Sequence, residues 1–134
     1  MEYYFSQTIR SSFEEAIVMT TEALKKEGFG VISDIDIQAK LKEKLGVDFK
    51  KYRILGACSP LHAYQALSAE DKIGTMLPCN VTVIDQGEGT IEVSAVNPIA
   101  SMMAIENPAL GKTATEVTDK LQRVIASLGN SIER

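Results

Sequence analysis

Two short stretches of this chain crowd together residues able to do chemistry: Gly56-Ala57-Cys58-Ser59-Pro60, with His62 just beyond, and Leu77-Pro78-Cys79-Asn80. Cys58 and Cys79 are the only cysteines and His62 is the only histidine. Three kinds of chemistry fit such a set. A thiol beside a helix N-terminus is stabilised as thiolate by backbone N–H groups and the helix dipole. Cys58 could then exchange with a disulfide or capture an electrophile, with Cys79 as its resolving partner. Thiolates also favour copper(I) or zinc, which makes Cys58, Cys79 and His62 a candidate metal set. Lastly, the turn Ser59 to His62 offers free amides to a carboxylate or phosphate. Cys58, Ser59, His62, Cys79 and Asn80 are therefore the candidate ligand-binding residues.

Each has a plainer reading. The cysteines are 21 positions apart, and neither belongs to the close C-x2-C pair that metal sites favour. Two small buried hydrophobes at the ends of elements account for them better than a metal site does. A serine–histidine–acid hydrolase is a weaker reading of the sequence, because there is no G-x-S-x-G elbow. Asp34-x-Asp36 lacks the remainder of a calcium loop and reads as a helix cap. Gly87-Glu88-Gly89 is a turn with an acid inside it, unsuited to phosphate. Met102 and Met103 can line a pocket, meet a partner or fill the core.

These residues need elements to position them. Tyr3 to Ile9 alternates as a strand. Ser12 and Glu15 make a capping box for a helix carrying Phe13, Ala16, Ile17, Thr20 and Leu24, stopped by Gly28. Phe29 to Ser33 is a short strand. Asp34-Ile35-Asp36 opens a helix with Ile37, Leu41 and Leu45 on one face and Gly46 as its stop. Tyr52 to Cys58 is a central strand. Ser59 as N-cap and Pro60 in the first turn start a helix running to about Ala69. Val81 to Asp85 and Thr90 to Val96 form a hairpin in which Ile91, Val93 and Ala95 face one way and Glu92 and Ser94 the other. Asn97-Pro98 opens a short helical turn over Ile99 to Ile105. Asn107-Pro108 leads into a last helix with the stripe Ala114, Val117, Leu121, Val124, Ile125, Leu128, closed by Gly129 and followed by a frayed tail. The order predicts one α+β domain over residues 1–134. Its two layers would be a mostly antiparallel sheet and helices packed on one face.

Composition bounds the function. The chain has 134 residues, 45% hydrophobic and 24% charged, with a formal charge of -4 and a pI near 5.0. Length suffices for a core without staples. The acidic balance disfavours nucleic acid and anionic membranes as partners. No apolar run approaches the roughly 20 residues of a membrane helix. Met1-Glu2-Tyr3-Tyr4 carries an acid where a secretory leader carries base. The cytoplasm, where thiols stay reduced, is the expected compartment.

The run Tyr52 to Pro60, then Ala63, Ala66-Leu67, Ile73-Gly74 and Leu77-Pro78-Cys79-Asn80-Val81, resembles the bacterial and archaeal family called domain of unknown function 302. Asp34-Ile35-Asp36, Leu45-Gly46 and Asn97-Pro98 also fit its pattern. Ser59 stands where the family usually has Asn; both cap helices. The resemblance implies a small α+β fold likened to the TATA-binding-protein-like arrangement, and association as homodimers. It implies no activity. The expectation is thus a non-enzymatic module binding a small ligand or protein, with no cofactor. The alternatives are a thiol-redox or soft-metal (copper or zinc) protein using Cys58 and Cys79, and a purely structural dimer subunit.

Overall fold

Ser12 ends the first extended run and begins the first helix. Its hydroxyl accepts a hydrogen bond from the Glu15 amide at 3.1 Å, which satisfies one of the orphan donors of the first turn. Phe13, Ala16, Thr20 and Leu24 follow at helical spacing and are buried. The computed structural model describes residues 1–131. Its elements are β1 (Tyr4–Arg10), α1 (Phe13–Lys26), β2 (Gly30–Asp36), α2 (Ile37–Leu45), β3 (Tyr52–Cys58), α3 (Pro60–Ala69), β4 (Cys79–Gly87), β5 (Thr90–Val96), α4 (Pro98–Ser101) and α5 (Gly111–Ser131). 3-10 segments at Asp71–Met76 and Pro108–Leu110 lead into β4 and α5.

The fold is α+β. Its sheet has five strands in the order β1-β5-β4-β3-β2, and every pairing is antiparallel. The β4–β5 hairpin turns through Glu88 and Gly89, at φ 55° and 75°; Gly89 takes this left-handed geometry without a Cβ penalty. Alternation divides the sheet cleanly. Ile9, Leu55, Ala57, Cys79, Val81, Val83, Ile91, Val93 and Ala95 are all buried, beneath α1 and the apolar stripe of α5. The other face presents Ser6, Thr82, Glu92 and Ser94, and among the described residues no helix lines the hollow on it.

Several expectations are corrected. β2 extends past Ser33 to Asp36, which supplies the expected cap of α2 by accepting from the Ala39 amide at 2.9 Å. The α2 face of Ile37, Leu41 and Leu45 buries nothing fully. α4 is one turn long, shorter than Ile99 to Ile105. Gly129 does not close the last helix, which continues through it. A Cβ there would run into the Gln7 side chain, so this glycine allows α5 to lie close against β1. The tail expected after Gly129 lies beyond the described residues from position 132 onward. No helix of the described residues is long and apolar enough to cross a membrane.

A second, smaller hydrophobic cluster lies apart from the main core. Ala66, Ile73 and Leu110 form it, with Leu77, Met102 and Ile105 packed against them. It ties α3, through Ala66, to the two 3-10 segments that carry Ile73 and Leu110.

Candidate functional site

The two cysteine motifs interlock across strands. β3 and β4 pair so that Gly56 faces Asn80 and Ala57 faces Cys79. The Gly56 position is crowded: an added Cβ would collide with the Ser33 side chain and come within 2.7 Å of the Pro78 ring. Leu77–Pro78 is a cis peptide, and its ring occupies the space that Gly56 leaves empty. The glycine of one motif and the proline of the other are thus halves of one contact.

Where the main core and the smaller cluster fail to close on each other, a hollow of about 310 Å³ remains. Ala57, Cys79 and Val117 line it from the main core, and Leu77, Met102 and Leu110 from the smaller cluster. Its mouth carries Ile32, 65% exposed, and Leu67, 46% exposed. Apolar side chains so placed favour an apolar occupant, since each excludes water on only one side.

One end of this hollow is polar. Ser59 is the N-cap of α3, but its hydroxyl makes no capping bond. It instead lies 2.7 Å from His62 Nδ1. The other ring nitrogen, Nε2, lies 2.9 Å from Glu116 Oε2 on α5. An ionised carboxylate only accepts, so Nε2 carries a proton and donates to Glu116. In the neutral ring Nδ1 is then the acceptor, and the Ser59 hydroxyl must donate to it. His62 is buried, and Glu116 is more open, with Lys112 at 3.9 Å from its other oxygen. Serine, imidazole and carboxylate form a single chain of hydrogen bonds with one polarity.

Both cysteines line the same hollow, from adjacent strands and one residue out of direct register. Both are free thiols, Cys58 half-buried and Cys79 buried. Burial, and secondarily the neighbouring Cys58, push the Cys79 thiol up to about 11. It therefore keeps its proton at neutral pH. No group of three or more His, Cys, Asp or Glu side chains among the described residues is placed to hold a metal ion. His62, offered above as a third ligand for Cys58 and Cys79, has both ring nitrogens engaged elsewhere.

Four of the five candidate residues come together: Cys58, Ser59, His62 and Cys79. Asn80 does not. Side chains alternate along a strand, so Asn80 follows Cys79 to the opposite face, where it borders a different hollow. Sequence reading missed Glu116, which is 54 positions from His62. Its one signal is its place beside Val117, at the margin of the α5 stripe. Met102 lines the hollow and Met103 is exposed.

Comparison with known proteins adds the following. The family model described as "Domain of unknown function DUF302" matches residues 5–128. Among solved structures, the chain resembles an uncharacterized conserved protein DUF302 from Bacillus stearothermophilus. The two are 29% identical, with a TM-score of 0.85, over 94% of this chain and 98% of that one. No curated protein matches the chain.

Proposed function

Because this chain belongs to the DUF302 family, whose description names no activity, we propose a function from the hollow itself: it binds a small, largely apolar molecule that carries one hydrogen-bonding group. One observation carries this reading. A hollow of about 310 Å³ walled by apolar side chains ends at the aligned Ser59–His62–Glu116 chain. An apolar cavity with a few convergent polar groups is the ordinary form of a small-molecule site, and this volume is near the lower end for one. Butyrophenone, an aromatic ketone with a short alkyl arm, is a suitable probe. Titration calorimetry is expected to show saturable one-to-one binding with a negative heat-capacity change. Absence of binding by butyrophenone at its solubility limit, with the protein folded, overturns the reading.

The alternative of a thiol-redox or soft-metal protein draws on the two sulfurs sharing a wall. Against it stands the protonated state of Cys79, since exchange and metal ligation both use thiolate. We also carry forward the homodimer as a proposal, formed through the sheet face that no helix covers. Tyr3 and Tyr4, with ring centroids 4.9 Å apart, flank that face and are exposed. Sedimentation equilibrium should give twice the 14.6 kDa chain mass; a monomer at tens of micromolar contradicts it.

A further inference from the structure

The hydroxyl of Ser59 forgoes the role its position offers. An N-cap serine ordinarily accepts from an amide two or three residues on. Here no side chain caps α3, and the helix is marked only by the backbone bond from the Ala63 amide to the Ser59 carbonyl at 2.9 Å. Two things follow. With the ring neutral and Nε2–H on Glu116, the serine hydroxyl donates to Nδ1. The first-turn amides of Leu61 and His62 have neither an intrahelical partner nor a cap, while Pro60 has no amide hydrogen to offer.

These are the parts of an activated serine: a hydroxyl on an imidazole nitrogen, a carboxylate on the other nitrogen, and uncapped amides at the positive end of a helix dipole. Such a constellation is identified by geometry and not by sequence position or surrounding motif. Absence of a G-x-S-x-G elbow therefore does not exclude it. Unlike a surface serine–histidine pair, this one opens onto an apolar hollow.

We propose that the site is a hydrolase for small esters or thioesters with an apolar acyl or leaving group, in which Ser59 is the nucleophile, His62 the general base and acid, and Glu116 the positioning residue. This rests on the hollow being a binding site, and it departs from the non-enzymatic expectation drawn from sequence. Ser59 Oγ attacks the carbonyl carbon as its proton passes to His62 Nδ1. The carbonyl oxygen takes the negative charge, within reach of the α3 amides. Collapse reforms the carbonyl and breaks the bond to the leaving group, which takes the proton from Nδ1 and departs as alcohol or thiol. Water then attacks the acyl-serine, giving its proton to Nδ1, which returns it to Ser59 as the carboxylic acid leaves. No net electron transfer occurs and water is the only co-reactant.

The test pairs the ester 4-nitrophenyl butyrate with butyrophenone, which fills the same space and cannot be hydrolysed. Wild-type protein is expected to release 4-nitrophenol with saturation. Ser59→Ala should lower kcat/KM by 100-fold or more, the low end for removal of such machinery. Glu116→Gln should lower kcat about 10-fold with KM unchanged, and Glu116→Asp should recover part of that; a purely structural role would not split kcat from KM. Diisopropyl fluorophosphate should label Ser59 in wild-type protein, located by peptide mass mapping, which needs no variant to fold. Butyrophenone binding without turnover, wild-type rates in folded Ser59→Ala, or label on Cys58 in place of Ser59 would each overturn the hydrolase. Loss of butyrophenone binding itself would instead remove the binding reading beneath it.

Discussion

The helix-covered face of the sheet and its uncovered face each border a hollow, of about 310 and 400 Å³ respectively. The larger is bounded by Tyr3, Tyr4, Tyr52, Thr82, Glu92 and Ser94. Beside it Ser6 meets Ser94 at 3.0 Å and donates to Glu92 at 3.1 Å, while the Thr82 hydroxyl faces the Ser94 carbonyl at 3.5 Å. Its lining is more polar, and among the described residues no hydroxyl there is hydrogen-bonded to an imidazole. The smaller hollow is apolar, sits between two hydrophobic clusters, and ends in a serine whose proton is directed at an imidazole. Volume separates the two hollows poorly; desolvated walls and the polarity of one hydrogen-bond chain separate them well.

That contrast can be broken from either side. The largest expected effect is on binding. Ala63→Trp should fill the helix-side hollow and weaken butyrophenone at least 30-fold by calorimetry, whereas Ser94→Trp should leave its affinity within twofold. The reverse pattern would move the site to the open face.

Next in size is the contact that joins the two motifs. Gly56→Ala places a methyl against the Pro78 ring and Ser33 side chain, and overpacking of this kind costs about 1–3 kcal/mol. Urea denaturation should show a loss in that range. A loss under about 0.5 kcal/mol would mean the strands part easily and the hollow is loosely walled.

Cys79 gives a similar effect with a pH signature. Its folded value, about 11, lies above the ordinary 9.0, so the unfolded chain loses this proton first. The stabilisation is fully present below pH 9 and is lost as pH rises through 11. At about 1.4 kcal/mol per unit the complete loss is roughly 2–3 kcal/mol. The difference in unfolding free energy between wild type and Cys79→Ala should shrink by that order between pH 8 and 11. A constant difference would show that the thiol is not desolvated. The smallest effect belongs to the open face, where Ser94→Ala should change stability by less than about 0.5 kcal/mol.

Much of the frame was legible because local chemistry and tertiary packing agree. The Ser12 cap, the Thr90 to Val96 alternation and the Ala114 to Leu128 stripe each state in sequence what the fold then uses. Legibility failed where a residue serves a distant neighbour over its local rule. Gly129 reads as a helix stop, yet it is a close approach to Gln7. Ser59 reads as a cap, yet its hydroxyl serves His62. Glu116 reads as a solvated acid on a helix margin, and only the folded chain brings it to the ring. Asn80 was the avoidable misplacement: the alternation that buries Cys79 and Val81 already puts Asn80 on the other face. Whether Cys58 and Cys79 lie together was not legible in sequence; it depends on the β3–β4 pairing, which sets Cys79 opposite Ala57.

The most direct measurement is a ¹⁵N–¹H correlation spectrum of the wild-type protein recorded during titration with butyrophenone. The expected result is a saturable set of shifted amides centred on Cys58, His62, Ala63 and Cys79, with Thr82, Glu92 and Ser94 unmoved. Shifts centred on Thr82 and Ser94, or none at all in a folded protein, would contradict the helix-side hollow as the functional site.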